Sequence, residues 1–170
     1  ERKNIIALKG NHEDAFVDWY DTVPDKIHNR YYYNTYDFLM DSRRTRERLP
    51  EYVEFMRKMP LYKKLRIDGE CWLLAHACTE EVLSFWKRKE RMLWSTEMID
   101  RGKGIPGYHS VVGHVPAFTI RGNTNRPAKI WHSEDIDCGA AFPAFGGRLG
   151  CLCLETGEEY YVADAEILTT

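Results

Sequence analysis

The feature that most constrains this chain is a short apolar run that stops on a glycine and hands over to polar side chains. Asn4-Ile5-Ile6-Ala7-Leu8 leads into Lys9-Gly10-Asn11-His12-Glu13-Asp14. Residues 4 to 9 read as a short buried strand. In Asp14-Ala15-Phe16-Val17-Asp18-Trp19-Tyr20 the apolar spacing predicts a helix that opens straight after the strand, with Asn11 or a neighbour as its cap. Such a junction is where α/β proteins place their chemistry. The positive end of the helix favours an anion beside His12, and Asn followed by His suits a divalent metal.

The same grammar recurs. Tyr62 to Ile67 reads as a strand, Asp68-Gly69 as a hairpin turn, and Glu70 to Ala75 as a second strand ending on His76. Tyr108 to Val112 reads as a third, ending on Gly113-His114. If these strands lie in one sandwich, Asn11, His76 and His114 converge, and they make a set for one transition metal that still needs a carboxylate. His28, His109 and His132 lack the pattern and read as ordinary histidines.

Between these strands the chain reads as helical over 15 to 60 and again over 79 to 94. Pro50 sits near a helix start and Pro60 ends that helix. The basic run from Ser42 to Arg48 reads as a solvated helix face rather than a docking patch. Gly102, Gly104, Pro106 and Gly107 mark a loop. Further short strands are expected over 117 to 120, 128 to 131 and 135 to 139, with a closing hairpin from Leu149 through Thr156-Gly157 to Ala163. No repeat or linker interrupts the sequence, so one domain over 1 to 170 is expected.

Composition narrows the class. A chain of 170 residues can build a real core. A net charge of −2 gives no electrostatic ground for binding a nucleic-acid polymer or an anionic membrane. No apolar run approaches the roughly 20 residues of a membrane span. Five cysteines without a CxxC spacing read as thiols in a reducing compartment, so a cytoplasmic protein is expected.

Taken in order, Gly10-Asn11-His12-Glu13, Leu74-Ala75-His76-Ala77, Val112-Gly113-His114-Val115-Pro116, Ile136-Asp137-Cys138-Gly139-Ala140 and Gly147-Arg148-Leu149 resemble the calcineurin-like metallophosphoesterases. More narrowly, they resemble the bacterial and phage branch of the serine/threonine phosphoprotein phosphatases. The resemblance runs from residue 4 to about 163. It implies a four-layer α/β/β/α sandwich with mixed sheets. It also implies two divalent metals (manganese, iron or zinc) that clamp the phosphate and activate a bridging hydroxide. Asn11, His76 and His114 match ligands of the second metal, and His12 matches the general acid. Arg101 matches, at an unusual spacing, an arginine that grips phosphate oxygens.

Two motifs of that family are missing. There is no Asp-x-His, and Thr96-Glu97-Met98-Ile99-Asp100-Arg101-Gly102 only echoes Gly-Asp-x-x-Asp-Arg-Gly, out of order and without its Gly-Asp. Cys78 and Cys138 also stand where the family has glycine and threonine. The expectation is a chain lacking an N-terminal βαβ unit of roughly 60 to 80 residues, holding at most one partial metal site and inactive alone. A phosphoprotein is the expected substrate of the intact enzyme. A diadenosine-tetraphosphate-type nucleotide hydrolase and a non-catalytic phosphatase-like binding module are the alternatives. Neither a nucleic-acid polymer nor a membrane is an expected partner, whereas self-association through a sheet face left open is.

Overall fold

In a computed structural model the described residues are 4–24, 39, 42–120 and 125–162. The expectations for residues 25–38 therefore lie outside them. The chain divides into two compact units, Glu1–Pro60 and Leu61–Thr170.

The first unit is helical. Helix α1 spans Asn11–Thr22, α2 Arg43–Glu47 and α3 Leu49–Lys58. Residues 4–9, expected as a strand, form none, and Ile5 and Ile6 are exposed. A strand needs a hydrogen-bonded neighbour; here the Lys9 N–H donates to the Pro60 carbonyl at 2.9 Å, a single bond rather than a ladder. The helix opens where the spacing placed it, and of Asn11 and its neighbours it is Gly10 that is the N-cap. Glu13 reaches back and accepts from the Gly10 N–H at 2.7 Å, satisfying one of the end donors.

Phe16, Val17 and Trp19 of α1 pack with Leu39 and with Leu49, Val53 and Met56 of α3. The last three recur at helical spacing, so one stripe of α3 is apolar while the rest is charged. At the rim the Arg57 guanidinium holds Asp21 through bonds of 2.8 and 2.9 Å. Helix α2 is solvated, as its charge run implied: Ser42 caps it and Arg43 pairs with Glu47 at 2.8 Å. Helix α3 stops two residues before Pro60, because proline disfavours helical geometry just ahead of it.

The second unit is mixed α/β. Its strands are β1 Tyr62–Ile67, β2 Glu70–Ala75, β3 His109–Val112, β4 Ala128–Ile130, β5 Ser133–Asp135, β6 Leu149–Leu152 and β7 Glu159–Val162. A five-stranded sheet has the order β1-β2-β3-β5-β4, and β6 and β7 form a separate hairpin. The centre, β2-β3-β5, is parallel; both edges are antiparallel. Asp68 and Gly69 both have positive φ, 49° and 89°, the turn that matches strand twist in a two-residue hairpin.

Three short helices, α4 Glu80–Leu83, α5 Lys89–Trp94 and α6 Glu97–Asp100, connect β2 to β3. Leu73 packs with Val82 and Met92, and Val112 with Cys78, Met98 and Ile99. Leu73 pairs beside Ser110, and Val112 lies two residues further on, so both clusters sit on one sheet face. The single helix expected over 79 to 94 is broken at Ser84–Arg88. Glu81 accepts there from the Arg88 N–H and from Arg91, which holds the chain in a loop. The strand expected over 117 to 120 is a 3-10 turn, Ala117–Thr119. Pro116, just ahead of it, has no N–H to give a ladder, and its carbonyl takes the Thr119 hydroxyl at 2.7 Å. The strand expected over 135 to 139 lies earlier, at Ser133–Asp135. Among the described residues no helix is long and apolar enough to cross a membrane.

Phe16 is fully buried. Replacing it with alanine is expected to cost the first unit about 3–5 kcal/mol, read by urea denaturation with Trp19 fluorescence as the probe. Asp135 is also fully buried, and among the described residues its Oδ2 has no hydrogen-bond partner. Burial pushes its pKa up to about 7, against the Asp137 N–H that donates to Oδ1 and with the Asp137 charge adding to the rise. An unfolded aspartate titrates near 3.9. Between about pH 4 and about pH 7 the folded chain therefore holds a proton that the unfolded chain has lost, and stability falls as pH rises through that window. The loss is on the order of 4 kcal/mol. Asp135→Asn is expected to flatten this slope in urea titrations at about pH 5 and about pH 8.

Candidate metal centre at the ends of two parallel strands

Strands β2 and β3 run in the same direction, with Leu74 beside Val111. They therefore end together. His76 follows the last residue of β2, and His114 lies two residues beyond β3. The Gly113 N–H donates to the His76 carbonyl at 2.8 Å and ties the two ends. His114 then takes a φ of 73°, a left-handed conformation that costs a non-glycine residue roughly 1–2 kcal/mol. Strain of this kind collects at functional sites.

The outcome is a close pair of imidazoles. His76 Nε2 and His114 Nδ1 are 3.1 Å apart, with ring centroids at 4.9 Å and planes at 60°. Trp94, at the end of α5, stands edge-on to His114 with centroids 6.0 Å apart. In a direct hydrogen bond one of the two nitrogens carries the proton. The spacing also fits two ligands of one cation. Nitrogens roughly 2.0–2.1 Å from a metal lie roughly 2.9–3.4 Å apart over octahedral to tetrahedral angles. Of the three strand ends, the structure brings the side chains of His76 and His114 together.

The third parallel strand, β5, sends its acids elsewhere. Asp135 is turned into the core, and Asp137 Oδ1 accepts from the Gly139 N–H at 2.9 Å. Among the described residues no group of three or more His, Cys, Asp or Glu side chains is placed to hold a metal ion.

Asn11 and His12 belong to the first unit, where they are neighbours on the first turn of α1. Asn11 is buried and His12 half-buried. Glu13 and Asp14 share that turn, and Glu13 already sets a carboxylate against the helix end, which weakens its pull on an incoming anion.

Arg101 follows α6, exposed, with its guanidinium 2.8 Å from Glu97 Oε2. Glu97 also takes two bonds of 3.2 Å from Arg91, and Arg91 Nε donates to Glu81 at 2.7 Å. The Arg91 bonds and the Arg101 charge hold Glu97 below the usual carboxylate range. Arg101 is therefore an outer member of a four-residue ion network rather than an uncommitted cation. If it turned to a phosphate, Arg91 would still neutralise Glu97.

Sequence reasoning missed Trp94 and this network. The signal for the network is weak: Glu81, Arg91 and Glu97 are ten and six residues apart and sit on three different helices. No protein-family model matches the chain, and no curated protein matches it significantly.

Either His76→Ala or His114→Ala is expected to weaken Mn2+ or Zn2+ binding by at least about tenfold, measured by competition with a chromophoric chelator. Equal affinity in both variants and the parent chain would remove the pair as a metal site.

Proposed function

We propose that this chain carries part of the active site of a metal-dependent phosphoester hydrolase of the serine/threonine phosphoprotein phosphatase type, built on the four-layer sandwich. The observation that supports the reading best is the 3.1 Å approach of His76 Nε2 to His114 Nδ1 at the ends of adjacent parallel strands. Two imidazoles at that spacing are a donor set for manganese, iron or zinc. Asn11 enters the ligand set by the sequence resemblance alone. When bound, divalent cations would polarise the phosphate oxygens and make water a better nucleophile.

The chain's own residues have simple tasks in this reading. His76 and His114 would hold a cation at the carboxyl ends of β2 and β3. His12 delivers a proton to the departing alkoxide oxygen as the P–O bond breaks. Arg101 swings from Glu97 to bind phosphate oxygens through its planar fork. The remaining ligands come from Asp-x-His and Gly-Asp-x-x-Asp-Arg-Gly segments ahead of Glu1 or on another chain. The free cysteines support a reducing, cytoplasmic setting.

The coding sequence upstream of Glu1 is the quickest check; absence of both motifs there turns the reading towards a non-catalytic module. With those motifs present, the protein is expected to release phosphate from para-nitrophenyl phosphate and phosphoserine peptides with Mn2+. In that protein His12→Ala should lower kcat by about 10²–10⁴ with metal content unchanged. The 170-residue chain alone should turn over neither substrate, and turnover by it would refute the incomplete site.

A further inference from the structure

The loop between α4 and α5 has no part in that chemistry. The chain leaves α4 at Leu83 and enters α5 at Lys89, and Phe85 and Trp86 stand at the tip between them. Phe85 is 90% exposed and Trp86 75%. Their rings meet edge to face, with centroids 5.4 Å apart and planes at 88°. Among the described residues no core cluster includes this pair, and the two rings form one apolar wedge.

The loop is held in shape. Glu81 Oε2 accepts from the Arg88 N–H at 3.1 Å, and Glu81 Oε1 accepts from Arg91 at 2.7 Å, so one carboxylate ties the loop's exit to α4. The Trp86 N–H donates to Ser84 Oγ at 3.3 Å. Lys87 takes a φ of 40°, which turns the chain directly behind the wedge. Lys87, Arg88 and Lys89 follow, all exposed, with Glu90 next on α5. The Lys87 ammonium lies over the Tyr62 ring at 5.9 Å.

A hydrogen-bonded loop tip with two exposed aromatic rings followed by three exposed cations suits a bilayer interface. Aromatic rings settle at headgroup level, and long basic side chains lay their stems on the apolar zone while their charges reach phosphate. Each cation near an anionic surface adds attraction. A protein groove is the poorer fit, because lysine is depleted from protein interfaces. The chain's overall charge of −2 averages this local cluster away, which is why composition alone pointed to no membrane partner.

We propose that the loop from Ser84 to Lys89 is a membrane-docking tip that seats Phe85 and Trp86 in the interface of an anionic bilayer, with Lys87, Arg88 and Lys89 at its headgroup phosphates. In this arrangement the tip lies on the surface of the bilayer. The proposal is independent of the phosphoesterase reading.

Co-sedimentation of the 170-residue chain with phosphatidylcholine vesicles, with and without phosphatidylserine, tests it. Binding is expected to the anionic vesicles only and to weaken with added salt. Phe85→Ala with Trp86→Ala should reduce it by about tenfold or more. Lys87→Gln with Arg88→Gln, at exposed positions, should reduce it about fivefold per charge. Brominated lipid should quench tryptophan fluorescence in the parent chain and quench it less in Trp86→Phe. Circular dichroism checks that each variant is folded. No sedimentation with anionic vesicles, equal sedimentation with both kinds, or unchanged binding in the folded aromatic variant overturns the proposal, and the first result would turn the tip towards a protein partner.

Discussion

The working edge of the second unit depends on one pairing, the parallel register of β2 and β3. Parallel strands share a direction, so their carboxyl ends fall on the same side of the sheet. With Leu74 beside Val111, the strands finish within a residue of each other, and His76 and His114 emerge together. An antiparallel pair would have sent the two histidines to opposite edges. The helices between these strands then act as a brace. Leu73 packs on Val82 and Met92, and Val112 on Met98 and Ile99, so both strands are anchored from one face. Trp94 is delivered to His114 by the same excursion.

Much of the second unit was legible because its signals are local. Asp68-Gly69 between alternating runs is a complete hairpin instruction, and the strands on either side form where expected. The apolar runs ending on His76 and on Gly113-His114 located the strand ends and, through them, the close histidine pair. The apolar stripe of α3 was equally plain. What failed depended on partners distant in sequence. Residues 4–9 have strand composition, but pairing decides a strand, and composition does not carry the pairing. The stretch from 79 to 94 has helical periodicity, yet one carboxylate, Glu81, stabilises a loop in its middle. Pro116 was a visible warning against the strand at 117 to 120.

The candidate site was legible to a different depth. The donor types were readable, and His76 and His114 do come together. The fate of the acids was not. Asp135 and Asp137 are two residues apart in sequence, but one is buried in the core and the other closes a turn. The sequence offered Arg101 only as a match to a phosphate-gripping arginine. Its tie to Glu97, and through Glu97 to Arg91 and Glu81, depends on how three short helices meet. A guanidinium held this way is committed to Glu97, and Arg91 keeps the local charge balanced if it moves.

The left-handed backbone at His114 carries a consequence for how this position can vary over evolution. Glycine would relieve the conformation, and asparagine would tolerate it better than most side chains. Random drift therefore runs downhill in energy towards residues without an imidazole. β-Branched replacements run uphill and are filtered out at the level of folding. A lineage that keeps histidine here is resisting an easier main chain, and the ring alone can be the reason.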